Sequence, residues 1–529
     1  MKPPRNDDVC VPDDNQDQEH GPKPNSNGTR HGQYTAGEAT GGLSVIFTVL
    51  CIVDLFGVFP VITLPKSVIT CGIYGIPLVL AVIGLQLYTA VLLGRCWLLA
   101  HEIAPNIREK NRFPYAAVAE LAFGAPMRRL VIFLIDATVF GSGVPNFILA
   151  SQSLQMFWWK ISGGSVGITY CVWMLVLALL LCPVMWLGSP KDMKSLAMSS
   201  FFIVSTVAVS TWTCILRDDV NPQPLGSLLD HRPEAQDFLI AYGILAFQFD
   251  IHPMLLTLQV DMKDSTKINA AVLGGFGATG FMFTVTAALA AARYGIDVEN
   301  NILEAIPASI PLYLVALLVT VQLCLSSAVG NSALFQHIED ILKIPRNFCI
   351  QRCLLRSGIV ALVVFLAESV PRFDLVMGLV GSTLTGPLMF ICPPLFFLKL
   401  SYMKSKMTPR PAKINTGELS NEKKNGASSS DNGHLSLPLI IKNAFQTKYK
   451  TFKNYDEVVE DEYAIKWYDV VLALIVMCMG IAATVAATYS SWADSIAYAT
   501  FSPPCLMNAT EAARSFLRKP SPVLTNDML

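Results

Sequence analysis

A chain of 529 residues that is 52% hydrophobic and only 15% charged, with a mean hydropathy of +0.46, cannot present a mostly water-facing surface, since soluble domains carry about 25% charged residues. Its formal net charge of -1 points to no polyanionic partner, and no basic patch interleaved with aromatics stands out, so no nucleic acid is expected. The sequence has no phosphate loop, nucleophile elbow or metal-ligand spacing, so no enzyme activity, cofactor or metal is expected. The 13 cysteines are scattered, mostly inside apolar blocks (Cys51, Cys182, Cys324, Cys392). They read as small packed hydrophobes and not as a disulfide framework.

In chain order, residues 1–41 are polar and rich in Asp, Asn, Pro and Gly. They lack the charged-then-apolar pattern of a cleavable signal peptide, so the first span inserts uncleaved behind a disordered cytoplasmic segment. Residues 42–402 then hold ten apolar blocks long enough to cross a ~30 Å hydrocarbon core as helices. They lie at about 44–70, 74–99, 128–158, 166–187, 196–216, 237–258, 268–292, 307–336, 353–370 and 375–399. A polar stretch at 403–466, with Ser428, Ser429, Ser430 and Asp431, reads as a long cytoplasmic loop. An eleventh span follows at 467–490, then an extracellular or lumenal tail at 491–529. The expected class is an all-α polytopic membrane protein with eleven transmembrane helices.

Loop charges orient it. Lys and Arg favour the cytoplasmic side. With the N-terminus there, loop 2–3 carries Arg108, Lys110, Arg112, Arg128 and Arg129, loop 4–5 carries Lys191 and Lys194, and loop 8–9 carries Lys343, Arg346, Arg352 and Arg356. Loop 10–11 adds Lys399, Lys404, Lys406 and Arg410. The sequon at Asn508-Ala509-Thr510 then faces the lumen or exterior, making Asn508 the glycosylation candidate.

Two spans carry the residues that break helices. Span one reads Asp54-Leu-Phe-Gly57-Val-Phe-Pro60-Val-Ile-Thr63-Leu-Pro65-Lys66, where Gly57, Pro60 and Pro65 invite unwinding and the two prolines remove backbone donors. Span six reads Phe247-Gln248-Phe249-Asp250-Ile-His252-Pro253. In lipid a broken helix is tolerated only where it is buried or lines a cavity. Breaks five spans apart mark an inverted-repeat carrier with a site at the midplane; ordinary proline kinks are the alternative. Asp54 lies ten residues into its span, about 15 Å deep at ~1.5 Å per residue, with Asp250 and His252 at similar depth and Asp136 shallower. Ionisable groups at that depth face a bundle interior and relay protons, or form ion-pair scaffolding. Lys66 is a candidate partner in the second case. In span eight, Gln322, Cys324, Ser326, Ser327, Asn331 and Ser332 offer hydroxyls that hold sodium beside a broken first span, or that glue helices together.

At these residues the chain resembles the amino acid/auxin permease family from about Gly41 to Met403. The most specific stretch runs from Pro371-Arg372-Phe373-Asp374-Leu375 through Gly378, Gly381, Gly386-Pro387 and Cys392-Pro393-Pro394. Gly188-Ser-Pro190-Lys191-Asp192, Phe335-Gln336-His-Ile-Glu339 with Ile344-Pro345, and Asp261-Met262-Lys263 are also similar. Asp250-Ile251-His252 stands where members often carry small residues, and Leu64-Pro65-Lys66 where Leu-Pro-Tyr is usual. The resemblance implies a leucine-transporter-like 5+5 inverted repeat plus one helix. It also implies an amino acid held between spans one and six, with proton or sodium coupling.

The expected function is secondary transport of small neutral amino acids or related amines by alternating access, coupled to protons, with sodium as the other ion. Gly57, Thr63, Phe247, Gln248 and Phe249 are expected to contact the solute. Asp54, Asp250, His252, Ser326 and Ser327 are the coupling candidates. A transporter-like amino acid sensor with little net flux is the rival reading. The expected partners are the amino acid and membrane lipid, and the location is either the plasma membrane or an endomembrane such as a vesicle or lysosome.

Overall fold

The computed structural model describes residues 42–110, 113–162, 168–186, 193–218, 226–345, 348–370, 372–407 and 466–498. The expected N-terminal segment, most of the 403–466 loop and the tail with Asn508 lie outside the described residues. The described chain is all-α apart from turns and one isolated bridge. By length and composition, nine helical stretches among the described residues are apolar enough to cross a membrane. The two other expected spans hold shorter apolar helices, Val45–Phe56 and Tyr170–Trp186. The protein is therefore a multi-pass integral membrane protein.

Span one is three pieces, α1 (Val45–Phe56), α2 (Phe59–Ile62) and α3 (Leu64–Ile69). Next come α4 (Gly75–Ile103), α5 (Pro114–Phe123), α6 (Ala125–Ile161), α7 (Tyr170–Trp186), α8 (Met193–Leu216) and the short α9 (Gly226–Asp230). Span six is split into α10 (Ala235–Gln248) and α11 (His252–Asp261). They are followed by α12 (Ile268–Tyr294), the short α13 (Ile302–Ala305), α14 (Ile310–Ile341) and α15 (Ile350–Ser369). Span ten is α16 (Phe373–Val380), two π-helical turns and α17 (Cys392–Met407), and α18 (Trp467–Tyr498) closes the described chain.

The breaks fall where the residue chemistry puts them. Ser44 caps α1, its hydroxyl accepting from the Phe47 N–H at 3.4 Å. The helix stops at Gly57, whose φ of 60° and ψ of -147° lie in a region that side chains with a Cβ avoid. In span six, Pro253 stands at the second position of α11, where its missing N–H costs nothing. The far ends of the two split spans are tied together: the Leu43 N–H donates to the Asp261 carbonyl at 2.8 Å, and the Lys263 N–H returns to the Leu43 carbonyl at 3.0 Å.

Span ten crosses span six at glycine. A Cβ placed on Gly381 would lie 1.9 Å from the Gly243 carbonyl oxygen, so the two backbones meet at a distance only glycine permits. The π turns at Gly381–Thr385 and Pro387–Ile391 belong to the class of helix defect that clusters at functional sites.

Three details differ from the sequence reading. Helix α14 runs to Ile341, five residues past the expected edge. Its polar last turns are covered by Asp136 and by the arginines of α15, so hydropathy alone ends the span too early. Arg356, counted as a loop charge, is 1% exposed. It donates to Glu339 at 2.6 Å and to the Met185 carbonyl, with its guanidinium 5.2 Å from the Phe335 ring centre. Cys171, at the start of α7, is disulfide-bonded, which its apolar neighbourhood did not signal.

Candidate functional site

A cavity of about 180 Å³ lies between the two split spans and is closed by α6 and α14. One buried water needs only ~10–15 Å³, whereas pockets for drug-sized ligands run to ~300–1,000 Å³. The space therefore suits a small solute.

The two breaks are bonded to each other. Where Gly57 turns the chain, the Phe56 carbonyl loses its helical partner. The Gln248 amide, at the last position of α10, donates to it at 2.7 Å. Just beyond, the Val58 N–H has no hydrogen-bond partner among the described residues, and Val58 and Phe59 both line the cavity. It is an unspent donor on a residue of the cavity wall. Facing acceptors are unspent as well: Thr138 Oγ1, Gln248 Oε1 and Gln322 Oε1 are buried without a partner in the protein, on residues that line the same cavity.

On one wall, Asp54 of α1, Ser200 of α8 and Gln322 of α14 form a triangle. Ser200 Oγ donates to Asp54 Oδ1, Gln322 Nε2 donates to the same oxygen at 3.2 Å, and Gln322 Nε2 also reaches Ser200 Oγ. On another, the Asp250 carboxylate accepts from the His252 backbone N–H at 3.2 Å, and the His252 ring Nδ1 stands 3.6 Å from it. His252 Nε2 lies 3.1 Å from Thr89 Oγ1 of α4. The Asp250 side chain is 5% exposed and that of His252 is wholly buried.

Of the expected solute contacts, Gly57, Phe247 and Gln248 line the cavity, as do Asp54, Asp250, Ser326 and Ser327 among the coupling candidates. Thr63, Phe249 and His252 do not. The Thr63 hydroxyl donates to the Phe59 carbonyl at 3.2 Å, as a helical hydroxyl commonly does. Phe249 faces away, its ring centre 5.9 Å from Phe276 and 5.1 Å from Phe56. Lys66 pairs with neither deep carboxylate; its ammonium donates to the Ile296 carbonyl at 3.0 Å. The sequence reading missed Thr138, Asn146, Ser200 and Thr89. Asn146 joins α6 to α14 through Ser327 at 3.3 Å.

Residues 43–415 match the family model described as transmembrane amino acid transporter protein. The chain is 24% identical over 361 residues to amino acid transporter AVT1B of Arabidopsis thaliana, covering 67% of this chain and 64% of that protein. It thus spans just under two thirds of that relative's length. It is 28% identical over 177 residues to sodium-coupled neutral amino acid transporter 4 of Pongo abelii, 32% of either chain. Among solved structures, it is similar to MhsT in complex with L-phenylalanine, with a TM-score of 0.48 and 11% identity, over 85% of this chain and 99% of that one.

Proposed function

The chain belongs to the transmembrane amino acid transporter protein family, and on that footing we propose that it is a secondary carrier of small neutral amino acids or related amines, driven by protons. The observation that carries the reading is the set of unspent polar atoms around a small cavity between two broken spans. A buried polar atom left without a partner costs about 1–3 kcal/mol. A zwitterion supplies what these atoms lack.

The carboxylate of the solute goes to the free N–H of Val58, at the break of span one. Its ammonium goes to Gln248 Oε1, Gln322 Oε1 and the Asp54 carboxylate on the facing walls. Phe247 and Phe59, whose ring centres are 6.4 Å apart, bound the space for the side chain. Asp250 and His252 carry the proton, because they form a titratable pair fully inside the bundle with one member on the cavity wall. The N-terminus is cytoplasmic, and alternating access rocks α1 and α11 against the rest of the bundle.

The test is uptake of radiolabelled glycine, alanine and serine by full-length protein in sealed proteoliposomes. Saturable accumulation stimulated by an inward proton gradient is expected. Stimulation by sodium alone would move the coupling site to Ser326 and Ser327. Saturable binding with no accumulation under either gradient would overturn the carrier reading in favour of a sensor.

A further inference from the structure

The central cavity has a neighbour. A second chamber of about 200 Å³ lies among α5, α6, α11 and α14, and the two share Val139, Pro253 and Met254 as walls. Both α6 and α14 run from one space to the other. Along α14 the cavity residues Gln322 to Asn331 give way to Ser332 and Gln336 of the chamber; along α6, Asn146, Ser142 and Thr138 of the cavity give way to Asp136 and Ile132 of the chamber, while α11 borders both spaces. The chamber therefore lies between the central cavity and the start of α6 at Ala125 and the end of α14 at Ile341.

The three shared residues differ in freedom. Pro253 is fixed by its ring and Val139 is held at χ1 by its branched Cβ. Met254 has three rotatable side-chain bonds and no branch, so it alone can clear the opening without moving backbone. The chamber's mostly apolar wall carries one acidic group. It is Asp136, with 24% of its side chain exposed and bonded to His337 Nδ1. The His337 ring is steadied edge-on by Phe113, with centres 5.5 Å apart. Tyr115 anchors α5 by donating to the Leu388 carbonyl at 2.6 Å.

We propose that this chamber is a vestibule on the path between the central cavity and the membrane face where α6 begins and α14 ends, that Met254 is the movable partition, and that Asp136 makes the vestibule select for cationic groups such as an ammonium. Its use by a solute rests on the carrier reading; its access does not, and can be measured without any solute.

The experiment uses the full-length chain in sealed proteoliposomes, with Ser332→Cys placed in the chamber or Ser326→Cys in the central cavity. Cationic and anionic membrane-impermeant thiosulfonates of matched size are applied to either face, and modification of the target peptide is followed by mass spectrometry. The thiol at position 332 is expected to react from one face only, several-fold faster with the cationic reagent, and Asp136→Asn should bring that ratio close to one. Met254→Ala, or Met254→Ser if the first does not fold, should speed reaction of the thiol at position 326 from the same face about tenfold. Met254→Leu should leave it within about twofold. A chamber thiol sealed from both faces, a charge preference indifferent to Asp136→Asn, or a central-cavity rate unmoved by opening Met254 would each overturn the proposal. Failure of amino acid uptake with the labelling pattern intact counts against the carrier reading alone; uptake with the chamber thiol sealed counts against the vestibule alone.

Discussion

Replacing Gln248 by methionine tests whether the two breaks stabilise each other. Methionine keeps the length and the apolar stem but removes the amide that donates to the Phe56 carbonyl at 2.7 Å. The chain leaves the axis of α1 at Gly57, and Pro60, four residues on, has no N–H to give this carbonyl. Orphaning a buried acceptor costs about 1–3 kcal/mol. Phe56 borders the cavity, so water there recovers part of this and the lower half of the range applies, about 1–2 kcal/mol. In a protein of this size a loss of that order lowers the unfolding midpoint by roughly a few degrees, measured by tryptophan fluorescence of the detergent-purified protein. Gln248→Glu supplies the sign. Ionised, it sets a carboxylate against a carbonyl and should be worse than methionine; protonated, it regains a donor, so its deficit should shrink as pH falls. A methionine variant as stable as the parent, or a glutamate deficit that ignores pH, would refute the bridging argument.

Asp250→Asn keeps the shape of the group that accepts from His252 but cannot ionise, so uptake measured from pH 5 to 8 (about the range over which histidine switches) should lose its pH dependence; an unchanged profile excludes Asp250 as the coupling group. Gly57→Ala has room for its Cβ, whose nearest neighbour would be the Asp54 carbonyl at 3.7 Å. Its cost is therefore conformational, about 1–3 kcal/mol for a non-glycine residue held there, visible as a lower unfolding midpoint with solute affinity reduced. Gly381→Ala forces a Cβ to within 1.9 Å of the Gly243 carbonyl oxygen, beyond the ~1–3 kcal/mol usual for overpacking; recovery of monodisperse protein by size exclusion should fall sharply. Arg356→Met leaves the buried Glu339 with Arg352 at 3.2 Å as its remaining ion-pair partner among the described residues, and breaking a buried ion pair costs ~3–5 kcal/mol. Thermal scanning should show a larger drop than for any cavity variant.

The parts legible in the sequence are those that depend on residue type alone. Gly57, Pro60 and Pro253 announce the breaks because backbone freedom and missing donors belong to glycine and proline wherever they stand. Asp54 and Asp250 announce a polar interior because a carboxylate in lipid is expensive. What stayed hidden depends on packing between distant segments. Ser200 meets Asp54 across 146 positions and Thr89 meets His252 across 163; as hydroxyls on apolar helices, neither carries a mark. Phe249 was misassigned for a geometric reason. Two residues along a helix turn through about 200°, so when Phe247 faces the cavity, Phe249 must face the aromatic cluster behind it. Arg356 was misplaced because charge counting treats every arginine near a span edge as solvated, whereas this one has Glu339 and a backbone carbonyl to receive it.

The small ladder at Leu43 has a mechanical meaning. By fastening the start of α1 to the end of α11 through two backbone hydrogen bonds, it makes a yoke of two segments that belong to different halves of the chain. Neither can swing alone without breaking those hydrogen bonds to its twin, so any opening at that face is a joint displacement of both arms. A load hung on the residues just ahead of Leu43, such as a bound protein or a bulky fusion, would then be felt by both split spans at once.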